Sequence, residues 1–262
     1  MGSFDEREST SRLDGLWAVV TGASKGIGAG IAQGFVEAGA HVLLVARGRD
    51  DLEQAAKELR TTAHGSQSVL THVADTSKRD SIDELFAAIG EQLPQLDLFV
   101  ANAGSGSVVP FLDLSREEWD RTMSLNLTGT FLCCQEAARM MVAGPGTNKA
   151  ILVVSSIRAL GARPGRLAYA VTKAGLNQMV RVAALELASH QVRINALSPG
   201  ITATPLALDG NPEIFAEMAA TVPLGRAGTP LDMAAAAVYL CSSDARFVTG
   251  VNLIVDGGES LA

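Results

Sequence analysis

The sequence predicts an α/β protein: a Rossmann-type, doubly wound parallel sheet of about seven strands with helices on both faces. Three observations point there. Short β-branched or apolar runs alternate with longer helical patterns along the chain. Several of those runs are continuously apolar, as strands covered on both faces must be. A glycine-rich turn also follows the first run directly. The runs cover 16–21, 41–46, 68–73, 96–101, 150–155, 192–197 and 252–255. The helical patterns lie at 27–38, 52–60, 81–92, 116–142, 168–189 and 231–241. Such alternation implies right-handed βαβ units.

No linker, charge run or repeat divides the chain, so 13–262 is expected to be one catalytic domain behind a flexible N-terminal extension, 1–12. The least regular stretch, 203–226, carries Pro205, Gly210, Pro212 and Pro223 around a short helical pattern at 213–220. It begins at the carboxyl end of a strand, where ligands of such sheets collect, and is expected to be a substrate lid.

With 47% hydrophobic and 19% charged residues the chain is globular, and with 5% aromatic residues its core must be aliphatic. A net charge of −7 excludes a broad basic face and argues against nucleic acid as a partner. Cys133, Cys134 and Cys241 have neither zinc-site nor disulfide spacing and read as buried thiols. The first twelve residues lack the apolar stretch of a secretory signal, and no apolar run approaches the ~20 residues that span a bilayer. The expectation is a cytoplasmic protein with no membrane partner.

The first strand runs into Thr21-Gly22-Ala23-Ser24-Lys25-Gly26-Ile27-Gly28, and a helix follows. Gly22 permits a tight turn, and Gly26 and Gly28 let backbone approach a pyrophosphate held by the helix N-terminus. The G-x3-G-x-G spacing departs from G-x-G-x-x-G. An acidic residue at the end of the second strand would hold the ribose 2′-hydroxyl of NAD. Here that strand ends Val45-Ala46-Arg47, and Arg47 can bind a 2′-phosphate through forked, charge-assisted hydrogen bonds. Lys25 offers a second cation inside the turn. Together they predict NADP(H).

After the fifth strand come Ser155-Ser156, and Tyr169-Ala170-Val171-Thr172-Lys173 then opens a long helix. Tyr169 and Lys173 share a helical face about one turn, roughly 6 Å, apart. A phenol with a pKa of about 10 is a poor base at neutral pH. A neighbouring ammonium and the charge of an oxidised nicotinamide would lower it, as proton transfer to a carbinol oxygen requires.

The turn, Asn102-Ala103-Gly104 after the fourth strand, Ser156 thirteen residues before Tyr169, Y-x3-K and Pro199-Gly200 after the sixth strand occur in order. From about Leu13 to Gly258 the chain resembles the short-chain dehydrogenase/reductase family. The resemblance implies that Tyr169 is the general acid of reduction or the base of oxidation. Lys173 would activate it and hold the nicotinamide ribose, and Ser156 would hold the substrate oxygen. Asn126 would anchor a water for proton relay. It also implies that Asp75 and Thr76 lie at the adenine, and that Thr202 and Thr204 lie near the nicotinamide carboxamide. Asn102, Ala103 and Gly104 would lie at the adenosine, although the family commonly has a second asparagine where this chain has Ala101. No metal is implied, since His41, His64, His72 and His190 show no ligand spacing.

The implied activity is hydride transfer between NADP(H) and a small carbonyl or secondary alcohol, as in 3-oxoacyl-carrier-protein and carbonyl reductases. Carrier-protein reductases generally have arginine where this chain has His190, and sugar or polyol dehydrogenases are the alternative. Arg158, Arg163 and Arg166, between Ser156 and Tyr169, read as solvated charges or as a lure for an anionic substrate. A non-catalytic NADP(H) sensor is the reading from another class, but such proteins typically lose a catalytic residue, and here all four are present. The helical patterns at 116–142 and 168–189 are apolar on more than one side, with Phe131, Met140, Met141, Met179 and Leu187. A second subunit covering one side, as in the family's tetramers, predicts a homotetramer.

Overall fold

The computed structural model describes residues 12–208 and 212–262, without the side chains of Leu206 and Leu208. All but the last residue of the expected N-terminal extension therefore lies outside the described residues. Arg12 pairs with Asp244 at 3.5 Å, and Leu13 is fully buried.

Seven strands form one parallel sheet: β1 (Trp17–Thr21), β2 (His41–Ala46), β3 (Val69–Val73), β4 (Leu98–Ala101), β5 (Lys149–Val154), β6 (Val192–Pro199) and β7 (Asn252–Val255). Their order is β3-β2-β1-β4-β5-β6-β7. The chain winds outward from β1 to β3, then returns to β4 beside β1 and winds the other way. The reversal between β1 and β4 opens a crevice at their carboxyl ends, where such sheets bind ligands.

The apolar runs are explained by two cores. On one face Val20, Val42, Leu44, Val100 and Leu152 pack with Ile31 and Phe35 of α1 (Gly26–Glu37) and Met233 and Leu240 of α9 (Pro230–Cys241). On the other, Val19, Leu43, Val45, Phe99 and Ile151 meet Leu85 of α3 (Arg79–Gln92), Met141 of α5 (Thr130–Ala143) and Leu176 of α6 (Leu167–Leu187). Neighbouring strand residues face opposite cores, so neither set can be polar. Helix α2 (Arg49–Thr62) covers the β2–β3 edge and starts three residues before its apolar pattern, with Asp50 and Asp51 in its first turn.

The 116–142 pattern is not one regular helix. Helix α4 (Arg116–Met123) passes through a wide π-type turn, Ser124–Gly129, into α5. Gly129 shows why the chain bulges there. A Cβ on it would sit 1.9 Å from the carbonyl oxygen of Thr76, so only glycine permits this approach. The π turn swings Asn126 inward, where it is fully buried.

Of the residues expected on an intersubunit face, Met141 is in the core, and Met140, Met179 and Leu187 pack partly buried against it. Only Phe131 is exposed. The face that α6 leaves open carries Val171, Val182 and Leu185 instead.

Among its described residues the 203–226 stretch holds the helices α7 (Pro205–Leu208) and α8 (Pro212–Ala220). Its two roots are tied together: Ala203 N–H donates to Gly228 O at 2.8 Å, and Gly228 N–H to Ile201 O at 2.9 Å. Among the described residues no helix is long and apolar enough to cross a membrane, and no group of three or more His, Cys, Asp or Glu could hold a metal ion. Cys133, Cys134 and Cys241 are free and buried.

Candidate active site

The glycine turn is shaped by what surrounds it. Gly22 and Gly26 adopt φ of +64° and +62°, in the left-handed region that side chains avoid. A Cβ on Gly28 would lie 2.3 Å from Gly22 O and 2.4 Å from Asn102 Nδ2. No side chain caps α1, so its first N–H groups are left for a ligand at the positive end of the helix dipole. Ser24 is partly buried, and Ile27 turns its side chain onto the core, so its approach to a ligand is through the backbone.

Asn102 and Thr21 brace the turn from β4. The Asn102 amide donates to Thr21 O at 2.9 Å and Gly22 O at 3.1 Å. Thr21 Oγ1 accepts the N–H groups of Asn102 at 3.0 Å and Ala103 at 3.1 Å. The N–H groups of the Asn102 amide are thus committed to the turn, which leaves its oxygen and the loop backbone to face a nucleotide. Thr204, at the start of α7, places its methyl 3.3 Å from a Cβ built on Gly26, which brings that segment onto the cradle.

At the ends of β2 and β3, Arg47 is exposed and feels Asp75. Burial would raise the Asp75 pKa, but hydrogen bonds from the Ser77 hydroxyl and N–H, with the charges of Arg47 and Lys78, hold it below its usual value. Lys25 is paired with Asp51 at 3.0 Å and is not the free cation expected. Thr76 is buried beneath Gly129. Pro199 ends β6, and Gly200 lies so near Asp256 that a Cβ would meet Asp256 Cβ at 2.6 Å. The buried Thr202 hydroxyl donates to Gly200 O at 3.0 Å.

Four side chains converge beyond β4 and β5. The Lys173 ammonium lies 5.5 Å from the Tyr169 ring centroid and donates to Val154 O at 2.8 Å. A Cβ built on Gly104 would stand 3.7 Å from Lys173 Nζ and 3.3 Å from Asn126 Oδ1, so both groups converge on Gly104. Ser156 acts on the Tyr169 hydroxyl to lower its pKa and accepts Arg158 N–H at 3.1 Å. Ser155 instead donates to Lys173 O at 3.2 Å, within the scaffold.

The electrostatics correct one expectation. Burial pushes the Tyr169 phenol above its ordinary pKa, and what opposes this is the Ser156 hydrogen bond and the charges of Arg166 and Arg158, not Lys173. Lys173 is itself brought down to about 8 by burial. Two buried groups close together each favour their neutral form.

Three features escaped the sequence. Asn126 accepts Ser105 N–H at 2.9 Å and donates to Ser105 O at 2.7 Å, locking the loop after β4. Glu118 of α4 accepts the Ser107 hydroxyl and a forked pair from Arg121, and these bonds hold its carboxyl at about 2. That loop presses Gly106 against the Tyr169 ring, where a Cβ would meet Cδ2 at 2.7 Å. Ser115-x-x-Glu118 was a visible helix-start signal, but the glutamate serves the loop rather than the cap. Glu259 pairs with Arg158 and accepts Ile201 N–H at 2.7 Å, joining the serine loop to the root of 203–226.

Known proteins resemble this arrangement along its length. A family model described as enoyl-(acyl carrier protein) reductase matches residues 22–260. A 3β-hydroxysteroid dehydrogenase of Eggerthella lenta is 38% identical over 256 residues, 95% of each chain. An NAD-dependent glycerol dehydrogenase of Listeria innocua is 35% identical over 93% of each. The crystal structure of a short-chain type dehydrogenase/reductase from Mycobacterium marinum superposes with a TM-score of 0.89 at 33% identity, covering 95% of this chain and 97% of that one.

Proposed function

The chain belongs to the short-chain dehydrogenase/reductase family, oxidoreductases of alcohols and carbonyls, and from that premise we propose an NADP(H)-dependent enzyme acting on a polar ketone or secondary alcohol. The observation that carries this reading is the convergence of Asn126, Ser156, Tyr169 and Lys173 beside the glycine cradle.

The residues present fit the cofactor. Gly22 and Gly28 clear space where side chains would clash, and α1 leaves its first N–H groups uncapped for the pyrophosphate. Arg47 takes the 2′-phosphate. It is exposed at the cradle's rim, with no carboxylate within 4 Å among the described residues. Lys25 contributes less, being shared with Asp51. Backbone of Asn102, Ala103 and Gly104, with Asp75, Thr76, Pro199, Gly200, Thr202 and Thr204, completes the pocket. When bound, NADPH supplies the hydride for the carbonyl carbon.

Tyr169 gives its hydroxyl proton to the carbonyl oxygen, and Ser156 holds that oxygen by a hydrogen bond. Lys173 binds the nicotinamide ribose, and the charges of Arg166 and Arg158 favour the phenolate left behind. Asn126 keeps the 105–107 loop against Tyr169 and anchors a water through which the proton is replaced. Segment 203–226, rooted at the bridge between Thr202 and Gly228, closes over the substrate. The exposed Phe131, Val171, Val182 and Leu185 pair subunits into a homotetramer, and the free thiols suit the cytoplasm.

A sugar or polyol oxidised in the reverse sense is the second reading. It is favoured by the cavity of about 460 Å³ that Arg158, Arg163, Glu217, Met218, Thr221 and Glu259 line, polar in five of six. The test is Tyr169→Phe, with NADPH binding followed by fluorescence and turnover followed over ketones and sugars. Binding should survive and turnover fall about 10²–10⁴-fold. A wild-type rate would overturn the mechanism and leave a cofactor-binding sensor.

A further inference from the structure

Arg158, Arg163 and Arg166 stand within nine residues of one another beside Tyr169, in a chain of net charge −7, and all three are partly buried. Arg158 and Arg163 line one cavity, and Arg166, which burial already disfavours as a charge, feels the positive charge of both. Like charges gathered out of water are held at a disadvantage unless an anion offsets them.

Among the described residues only one of them is offset by a carboxylate. Arg158 has Glu259, an ion pair whose side chains are 23% and 13% exposed. Arg163 reaches the Met218 thioether at 3.1 Å, a weak acceptor. Arg166 reaches Ser107 O at 3.4 Å, a long bond for a group with five donors. Among the described residues neither Arg163 nor Arg166 has a carboxylate within 4 Å, although Glu217 lines the same cavity as Arg163. That cavity runs from Arg158, two residues beyond Ser156, to Met218 and Thr221 of the 203–226 segment. Arg166 meanwhile sits where its charge acts on the Tyr169 hydroxyl.

We propose that the substrate carries a carboxylate remote from its reacting carbon, and that Arg163 and Arg166 receive it between the serine loop and α8. This rests on the enzymatic reading above and adds the substrate's charge to it. A planar, forked guanidinium is matched to a carboxylate, and partial burial strengthens the contact. Arg158 is kept out of this role by Glu259, so the substrate meets two free guanidiniums rather than three.

The test oxidises 3-hydroxybutyrate and 4-hydroxycyclohexanecarboxylate with NADP+, each beside its methyl ester. The wild type should prefer an acid over its ester in kcat/KM by tenfold or more. In Arg163→Gln and Arg166→Gln that acid-to-ester ratio should fall about 10- to 100-fold, through KM for the acid, with Arg166→Lys recovering part of it. Equal use of acid and ester by the wild type, or an unchanged ratio in the variants, overturns the proposal. Should no alcohol be turned over, the enzymatic reading fails first, and the anion site is then read by binding. Glutarate, but not its dimethyl ester, should raise the melting temperature of NADP+-loaded wild type and Tyr169→Phe, and not of the Arg163→Gln/Arg166→Gln double variant. No shift in the wild type overturns it as well.

Discussion

The two walls of the crevice are built by opposite means. The cofactor wall consists of glycines and short neutral side chains whose hydrogen bonds are made internally: Thr21 and Asn102 between them satisfy the turn, the start of the next loop and each other. The substrate wall consists of long charged side chains with few bonds, Arg163 on a thioether and Arg166 on one distant carbonyl. A wall that always meets the same pyrophosphate can be finished in advance. A wall that selects among alcohols keeps its donors unspent for the ligand.

If that contrast holds, single changes should act differently on the two walls. The largest effect is expected at Arg47, the cation on the cofactor side that has no carboxylate within 4 Å among the described residues. Arg47→Asp removes a forked contact and adds repulsion, and should move the preference between NADPH and NADH by about 2–4 kcal/mol. Steady-state kcat/KM with both cofactors reads it, and a wild type that uses NADH as well as NADPH would refute the assignment.

Next is Gly28→Ala. The added methyl has no space between Gly22 O and Asn102, so overpacking of about 1–3 kcal/mol should weaken NADPH binding and lower the melting temperature together. Binding unchanged in a stable variant would mean that the turn is pliable and the contrast false.

A smaller effect concerns pH. Lys173 falls from its ordinary 10.5 to about 8 in the folded chain, so between those values the unfolded chain binds the extra proton and stability rises with pH. From pH 8 to 9 the ligand-free protein should gain about 1 kcal/mol relative to Lys173→Met, read by urea melts. Burial pushes the thiols of Cys133 and Cys241 up to about 12, which acts in the opposite sense above pH 9, so the comparison stops there. A flat difference would place Lys173 in contact with water.

Hydrogen exchange gives the finest comparison. Amides of 212–226 should exchange faster than those of 22–28 in the free protein and slow on adding cofactor with substrate. Equal protection in both states would remove the lid.

How far the sequence could be read follows the same division. Strands with both faces buried announce themselves as apolar runs, and Tyr169 and Lys173 share a face by simple helical arithmetic, so the sheet and the meeting of these two side chains were legible. The direction in which Asn102 donates was not, because an asparagine after a strand serves a ligand or a turn equally well. Nor was the π turn: Gly129 is its only mark, and what it makes room for is the carbonyl of Thr76, more than fifty residues earlier. Glu259 carries no local signal at all, since its partners Arg158 and Ile201 are 101 and 58 residues away. Local periodicity reports burial, whereas these contacts depend on which loops meet.

The bracing of the glycine turn also bears on how the molecule is made. Each of those hydrogen bonds joins groups 79 to 82 positions apart, so a chain that has not yet set β4 beside β1 possesses the glycines without a cradle. Pairings at such separation close long loops and form late. A nucleotide therefore has nothing to hold while the chain is still collapsing. Its binding energy acts on the finished fold, slowing escape from the native state and leaving the rate of arrival unchanged. The ligand is a lock on this architecture rather than a template for it.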